Sequence, residues 1–308
     1  MNRKVCIFPG QGSQELGMGI AVADTFEVAG AVFVRAGEVT GYDMYELCAD
    51  GPLEKLSDTR YTQPALFTVE AAIVDVLRAK GVVFDAAAGH SLGEFAAWYA
   101  AGAVGFEDCL RLVCERGRLM AEAGPSGEGT MAAVLGLGYE LVRGICEVVG
   151  GTVVVANINS PRQVVISGTR AAVEQAGERL TEAGAKRVVP LKVSGAFHSP
   201  LMEEARASFS DAVRSITVED AKIPVYANVT ASPVTACDEI RRLMVEQLVS
   251  PVRWADTVVN MVADGIDKVY ELGPGTVLAG LVKRTDERLG VTSVADPLSI
   301  EEVVHGMS

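Results

Sequence analysis

The stretch that most constrains the fold of this chain is residues 89–93, Gly-His-Ser-Leu-Gly, which sets Ser91 in a G-x-S-x-G frame. An apolar run at 82–88 precedes it, and a helix-like run at 94–101 follows it. The two glycines permit a turn too tight for Cβ atoms, and such a turn presents the serine hydroxyl as a nucleophile. The frame alone is equally compatible with a serine that only caps the helix. The order strand, turn, helix favours a nucleophile elbow.

Length and charge narrow the function classes. The chain has 308 residues, enough for one large domain or two unequal ones with a substantial core. Its net charge is -13, and acidic and basic residues are interspersed, which argues against a nucleic-acid or anionic-membrane surface. The longest apolar stretch, Phe95 to Phe106, is shorter than the roughly 20 residues that a membrane span requires. We expect a monomer whose partners are small molecules or proteins, with no nucleic acid and no membrane.

The cysteines suggest a compartment. Six cysteines are present without a C-x-x-C spacing. The first residues lead directly into a short strand-like run, Val5 to Phe8, and lack the longer apolar core of a signal peptide. We therefore expect reduced thiols and a cytoplasmic location.

Two patterns of predicted elements divide the chain. Strands and helices alternate to about residue 122, and the glycine- and proline-rich segment 124–129 then interrupts them as a linker. The order β-α-β-β-α-β follows, which is typical of a ferredoxin-like unit. We predict an α/β fold: a large α/β-hydrolase-like subdomain in two parts, residues 1–124 and 195–308, and a small ferredoxin-like (βαββαβ) insert at 125–194.

A serine nucleophile requires a base, and the chain has three histidines. His305 lies three residues from the carboxyl terminus, where fraying is expected. His90 is adjacent to Ser91 and projects in another direction, so a packed histidine with a local hydrogen bond is the favoured interpretation. Elimination leaves His198, in a turn-rich segment, as the base, unless it is an ordinary loop histidine.

Attack on a carbonyl also requires donors for the developing oxyanion. The geometry of such elbows predicts the backbone N–H of Leu92 as one donor and another loop as the source of the second. Gln11, in a glycine-rich loop after the first strand, is our candidate. The loop lacks the third glycine of a dinucleotide fingerprint and the lysine of a phosphate loop. A plain glycine turn remains an alternative.

One charge lies on the apolar side of a predicted helix at 107–123. Arg116 shares a stripe with Cys109, Val113 and Met120, whereas the other charged residues form a solvated face. A guanidinium that points inward requires an anionic partner. Helix periodicity slightly favours an internal Asp or Glu, and the alternative is a substrate carboxylate held by two hydrogen bonds.

These residues together resemble the malonyl-CoA:acyl carrier protein transacylases and the related acyltransferase domains of fatty acid and polyketide synthases. The similarity runs along nearly the whole chain. Its motifs are Phe-Pro-Gly-Gln-Gly-Ser-Gln at 8–14, Thr-Gln-Pro-Ala at 62–65, Gly-His-Ser-Leu-Gly-Glu at 89–94, Arg-Gly-Arg-Leu-Met at 116–120, Ala-Asn-Ile-Asn-Ser-Pro at 156–161, Phe-His-Ser-Pro-Leu-Met at 197–202, Gln-Leu-Val-Ser-Pro-Val-Arg-Trp at 247–254 and Glu-Leu-Gly-Pro-Gly at 271–275.

The resemblance implies that Ser91 accepts the malonyl group from coenzyme A as an acyl-enzyme. His198 relays the proton in both half-reactions and is oriented by a main-chain carbonyl, carried here onto Gln247, without a triad acid. The partners are then malonyl-CoA and acyl carrier protein. No cofactor or metal is expected, because the coenzyme A thioester is a substrate.

The resemblance also implies roles for four residues around this pair. The N–H groups of Gln11 and Leu92 form the oxyanion hole, and Arg116 binds the malonyl carboxylate, which raises the substrate interpretation above the internal pair. Phe197 resembles the malonyl-selective form of its motif. Thr276 departs from the lysine often found after Gly-Pro-Gly, which puts a local charge contact in doubt.

Three alternatives stay open. A serine hydrolase or thioesterase would use the same Ser-His dyad, a polyketide-pathway acyltransferase would share the motifs, and a silent scaffold would bind without turnover. Because the chain is acidic, docking of an acidic carrier requires a local basic patch. Lys186, Arg187 and Lys192 are candidates for it, although the pattern favours ordinary solvated side chains.

Overall fold

The computed structural model describes residues 3–123 and 129–307. Residues 124–128 of the predicted linker lie outside the described residues, and its last residue, Gly129, begins the strand Gly129–Leu135. The subdomain limits at 125 and 194 stay a prediction. All six cysteines are free thiols. Within the described ranges, no helix is long and apolar enough to span a bilayer.

A six-stranded sheet forms the centre of the larger part. Its order is β10-β9-β1-β2-β7-β8, and every neighbouring pair is parallel except β7 with β8. The strands are β1 Arg3–Phe8, β2 Ala86–Gly89, β7 Val225–Tyr226, β8 Pro233–Val234, β9 Ile266–Leu272 and β10 Gly290–Val294.

The helices cover both faces of this sheet, as a parallel sheet requires. Side chains alternate across a strand, so Cys6 and Phe8 join one apolar cluster and Val5 and Ile7 join another. The helices of the larger part are α1 Ile20–Thr25, α2 Glu27–Thr40, α3 Met44–Ala49, α4 Leu53–Ser57, α5 Thr59–Ala79, α6 Gly93–Ala100, α7 Phe106–Glu122, α10 Glu203–Arg214, α11 Cys237–Glu246, α12 Trp254–Ala263, α13 Val277–Thr285 and α14 Pro297–Met307, with a short 3₁₀ turn at Pro200–Met202. Two further helices, α8 Tyr139–Val148 and α9 Arg170–Glu182, belong to the smaller part.

A second, antiparallel sheet has four strands in the order β4-β5-β3-β6. Read from its other edge, the chain order of these strands is 4-1-3-2, the order of a ferredoxin-like unit, with α8 and α9 packed on one face. The class predicted from sequence, a large α/β part with a small ferredoxin-like part, is confirmed. The strands are β3 Gly129–Leu135, β4 Val153–Ser160, β5 Gln163–Thr169 and β6 Arg187–Pro190.

The two sheets meet beside the segment that follows α11. Val252 donates its N–H to the carbonyl of Ala156 at 2.8 Å and accepts from the N–H of Ile158 at 2.8 Å. This short bridge ties the end of β4 to the loop after α11. The face of the small sheet opposite α8 and α9 carries Met131 and Val165. These side chains form an apolar cluster with residues of the larger part.

Parallel strands end at one edge of the large sheet, and loops at this edge commonly carry functional residues. The ends of β1 and β2 lie side by side because Phe8 pairs with Gly89. Gln11 follows the first strand, Ser91 the second, and Asn228 follows β7. The topology therefore gathers three distant segments into one place.

We predict that Gly93→Ala lowers the free energy of unfolding by ~3 kcal/mol or more, because an added Cβ would lie 2.1 Å from the carbonyl oxygen of Phe8. Urea unfolding measures the effect. Gly144→Ala in α8 is the matched control: a Cβ there meets nothing within 4 Å, and the change should add ~0.5–1 kcal/mol of stability. Equal stability of the Gly93 variant and the wild type would contradict the close approach.

Candidate active site

Ser91 lies in the turn between β2 and α6 with a φ of 54°, a left-handed conformation that non-glycine residues seldom adopt. The flanking glycines explain how the chain reaches it. A Cβ on Gly89 would lie 1.9 Å from the carbonyl carbon of Gly93, and one on Gly93 would overlap β1. Backbone strain of this kind is commonly found at functional sites. The G-x-S-x-G frame is thus a steric requirement of this elbow.

His198 is the histidine that reaches Ser91. Its Nε2 lies 2.8 Å from the serine Oγ, and its Nδ1 lies 2.9 Å from the carbonyl oxygen of Gln247 and 3.2 Å from that of Ser250. Both carbonyls can only accept, so Nδ1 carries the proton and Nε2 presents its lone pair to the hydroxyl. The imidazole is oriented by main-chain oxygens: that of Gln247, which the family resemblance implies, and that of Ser250, which it does not.

Burial keeps this histidine neutral. His198 is 3% exposed, and desolvation, with a smaller effect of the nearby Arg116 charge, lowers its pKa to about 3. A neutral imidazole at working pH is the form that can accept a proton.

The side chains of the other two histidines contact groups other than the Ser91 hydroxyl. His90 places its Nε2 2.8 Å from Oδ1 of Asn159, and its ring centroid lies 5.8 Å from that of Trp254. Its partner is therefore a residue of β4, not the local group that the sequence suggested. His305 is exposed in α14, where its Nδ1 contacts the carbonyl of Glu301.

Arg116 of α7 is 1% exposed and points at the nucleophile. Its Nη2 donates to Ser91 Oγ at 3.0 Å and to Oε1 of Gln247 at 2.9 Å, and its Nη1 donates to Oε1 of Gln63 at 2.8 Å. Its Nε has no protein partner. Burial lowers the pKa of this guanidinium only to about 10, so it stays charged at neutral pH.

The internal Asp or Glu that helix periodicity favoured as a partner is not found. Within the part of the chain that the structure describes, no carboxylate forms an ion pair with Arg116. By contrast, Arg118 on the solvated face of α7 pairs with Glu115 and Glu122. The direct partners of Arg116 are neutral amides and a hydroxyl, so a cation without an ion-pair partner lies beside Ser91.

The predicted oxyanion donors lie on the two adjacent loops. Gln11 anchors its side chain by donating from Nε2 to Oγ1 of Thr59 at 3.1 Å. In residues 3–123 and 129–307, no protein acceptor takes the backbone N–H of Gln11 or that of Leu92. A cleft of about 430 Å³ borders Gln11, and its lining includes Arg60 and Lys192. These two N–H groups, on loops that follow adjacent strands, are available as the donors that an oxyanion hole requires.

Phe197 precedes His198 and is 5% exposed. It belongs to an apolar cluster with Met120 of α7, Met202 and residues of the small sheet. The sequence-predicted specificity residue is therefore in the wall beside the base. Since apolar walls exclude water, they strengthen the electrostatic interactions within the site.

Besides Ser250, sequence reasoning missed three residues that hold the site together. Gln63 accepts from Arg116, and Asn228 accepts the Ser91 N–H on Oδ1 at 2.7 Å while donating to the Gly89 carbonyl at 2.6 Å. Glu94 accepts from the Asn228 N–H and, at 2.9 Å, from Nε2 of Gln247. Gln63 lies in the motif at 62–65 and Glu94 in the motif at 89–94. Hydrophobic periodicity does not reveal which single polar residue of a motif faces the site.

The described ranges contain no group of three or more His, Cys, Asp or Glu side chains that could hold a metal ion. The chemistry available from the described groups is nucleophilic: a hydroxyl, a neutral base, two free N–H donors and a fixed cation.

Comparisons with known proteins identify one family. Residues 5–307 match the acyl transferase domain. The malonyl CoA-acyl carrier protein transacylase of Bacillus subtilis (strain 168) is 41% identical over 304 residues, which cover 98% of this chain and 96% of that protein.

Solved structures agree with this match. An acyl carrier protein S-malonyltransferase from Vibrio cholerae O1 biovar eltor str. N16961 has a TM-score of 0.95 at 41% identity and covers 98% of this chain and 100% of that one. A malonyl-transacylase in complex with its type II PKS acyl-carrier protein has a TM-score of 0.96 at 40% identity, with 99% and 100% covered.

We predict that His198→Gln removes part of the acid sensitivity of folding. The pKa of His198 falls from 6.5 to about 3 on burial, so between these values the unfolded chain binds a proton that the folded chain does not. This contribution is complete above pH ~6.5 and is lost as the pH falls, by up to ~2 kcal/mol at pH ~5. Urea unfolding at both pH values should show a smaller loss for His198→Gln. His305→Gln, an exposed control, should behave as the wild type; parallel losses in all three proteins would contradict the prediction.

Proposed function

This chain belongs to the acyl transferase domain family, and we propose that it transfers a malonyl group from malonyl-CoA to the phosphopantetheine thiol of acyl carrier protein. The observation that carries the proposal is the buried, unpaired guanidinium of Arg116, 3.0 Å from the Ser91 hydroxyl. A cation at this position selects an acyl group that ends in a carboxylate.

In the first half-reaction, Ser91 Oγ attacks the thioester carbonyl carbon of malonyl-CoA while Nε2 of His198 takes the hydroxyl proton. The carbonyl oxygen becomes negative and accepts from the N–H groups of Gln11 and Leu92. The C–S bond then breaks, the imidazolium returns its proton to the sulfur, and coenzyme A leaves as a thiol. The 2.8 Å contact between Oγ and Nε2 supports this proton path.

The second half-reaction runs through the same groups in reverse. His198 takes the proton of the carrier's phosphopantetheine thiol, and the sulfur attacks the ester carbonyl on Ser91. The C–O bond breaks, and the proton passes to Ser91 Oγ. Malonyl-CoA and the carrier bring the same phosphopantetheine arm to the site.

The shape of a malonyl ester matches the position of Arg116. Only one methylene separates the ester carbonyl from the free carboxylate, so that carboxylate must lie within a few ångströms of the serine. Nη2 currently contacts Oγ and Nε has no partner, so a carboxylate can take up both in a bidentate pair. We propose Phe197 as part of the wall that limits the acyl group.

The acceptor decides between transfer and hydrolysis. A thioesterase would use the same Ser-His pair, but it has no use for a clamp that holds a carboxylate in a dry chamber. We assign the acyl carrier protein of fatty acid synthesis as the acceptor; the name of the Bacillus subtilis relative states an acyl carrier protein. A polyketide carrier is the second candidate, because one similar structure is a complex with a type II PKS carrier. We further propose that the protein is a cytoplasmic monomer. We also propose that residues 125–194 form its small subdomain.

We predict that intact-mass measurement after mixing with malonyl-CoA shows one malonyl adduct, because Ser91 Oγ is the nucleophile. Ser91→Ala should show none. Ser194→Ala is the matched control, since its hydroxyl lies near Thr59 and outside the dyad, and it should still form the adduct. If folded wild-type protein forms no adduct, the transferase proposal is wrong; release of malonate to water at the rate of transfer would favour the hydrolase.

We predict that Arg116→Ala selectively removes malonyl transfer. Loss of a buried, charge-assisted pair costs ~3 kcal/mol, or roughly 100-fold in kcat/KM for malonyl-CoA. Activity toward acetyl-CoA should rise, because the uncharged acyl group no longer faces a buried cation. Arg118→Ala, on the solvated face of the same helix, should change neither substrate. An equal fall of malonyl and acetyl transfer would rule out the carboxylate clamp.

A further inference from the structure

Glu94 is a fully buried carboxyl group three residues after the nucleophile, at the start of α6. Its charge acts on Arg116 without direct contact, since no ion pair joins them among the described residues while the carboxylate raises the pKa of the guanidinium. Between them lies the side chain of Gln247. These three side chains form a chain of hydrogen bonds, which we call the carboxylate relay.

The relay fixes the orientation of an amide. Nε2 of Gln247 donates to Oε1 of Glu94 at 2.9 Å and to the Ser91 carbonyl at 3.0 Å, while its Oε1 accepts from Arg116 Nη2 at 2.9 Å. A carboxylate accepts only, so it forces the NH₂ end of Gln247 toward itself. The amide oxygen must then face Arg116. A reversed amide would set two donors against each other there.

The second oxygen of Glu94 holds another part of the elbow. It accepts the backbone N–H of Asn228, whose side chain bridges the Ser91 N–H and the Gly89 carbonyl. Both oxygens therefore act as acceptors, which suits the ionised form. Burial raises the pKa of Glu94 to about 7, while the hydrogen bonds from Asn228 and Gln247 and the charge of Arg116 favour its ionised form. Among the described residues, Glu94 forms no hydrogen bond with Ser91 Oγ or His198.

We propose that Glu94 is a positioning residue for recognition of the malonyl carboxylate, acting on Arg116 through the oriented amide of Gln247. This inference rests on the proposed function. The amide spacer has a physical purpose: a carboxylate in direct contact would form the ion pair that the substrate must form, whereas one amide away it balances the buried charge and leaves the guanidinium free.

The test is Glu94→Gln, which keeps size and removes the acceptor-only character. The new amide can turn its NH₂ toward Gln247 and reverse it, so Arg116 loses one acceptor and a counter-charge. Rates of Ser91 acylation by malonyl-CoA and acetyl-CoA, followed by intact mass over a concentration series, separate half-saturation from maximal rate. We expect half-saturation for malonyl-CoA to rise ~10-fold or more, with acetyl-CoA changing less than ~3-fold.

Glu70→Gln is the matched control, because Glu70 is likewise fully buried but lies on α5 outside the relay. It should leave both substrates unchanged. Gln247→Met removes the amide and keeps the backbone carbonyl that orients His198. Because it also removes a donor to the Ser91 carbonyl, we expect it to raise half-saturation more for malonyl-CoA than for acetyl-CoA. If Glu94 acts through Gln247, the double variant should lose no more malonyl selectivity than either single variant.

Equal effects of Glu94→Gln on malonyl-CoA and acetyl-CoA would overturn the inference, as would fully additive losses in the double variant. If Glu94→Gln does not fold, the selectivity of Gln247→Met decides, and an unchanged malonyl preference there overturns the relay. A wild-type protein that forms no malonyl adduct would instead reject the proposed function. The two failures are thus distinguishable.

Discussion

Arg116 brings a full positive charge into a buried chamber where its direct partners are Gln63, Gln247 and the Ser91 hydroxyl. A charge this deeply buried is costly without compensation. Three neutral acceptors reduce that cost but leave the guanidinium short of an anion, and Glu94 balances it only from behind Gln247. Such a site gains most from a ligand that brings its own carboxylate. The chemistry of the nucleophile and the choice of acyl group therefore depend on the same buried cation.

Close backbone contacts between the elbow and the end of β1 hold Ser91 in position beside Arg116. Gly93 approaches the Phe8 carbonyl too closely for a side chain, and the same carbonyl accepts the His90 N–H at 2.9 Å. These contacts lock the elbow to the end of β1, from which the Gln11 loop continues. One set of close contacts thus fixes both the serine and the neighbouring N–H donor. Flexible loops alone could not hold such a geometry within the tolerance that catalysis requires.

Much of this arrangement was predictable because it has local signals. The elbow follows from glycine sterics, Arg116 from its place on an apolar stripe, and the small sheet from its order of strands and helices. The partner of Arg116 was not predictable from helix periodicity, which reports that a side chain faces inward but not what it meets. Asn228 and Ser250 come from other segments and carry no pattern of their own. Long-range amide and carbonyl contacts are set by tertiary packing, which a single sequence does not display.

Among the described residues, no carboxylate contacts Nδ1 of His198. The charges around Arg116 give a reason for this. A triad carboxylate on Nδ1 would place a further negative charge in a chamber that must accept the malonyl carboxylate and already borders Glu94. The carbonyls of Gln247 and Ser250 orient the ring without adding net charge. Gln247 then serves two purposes, since its backbone oxygen directs the base and its side-chain oxygen directs the cation. Orientation by dipoles keeps the one strong anion site of the chamber for the substrate.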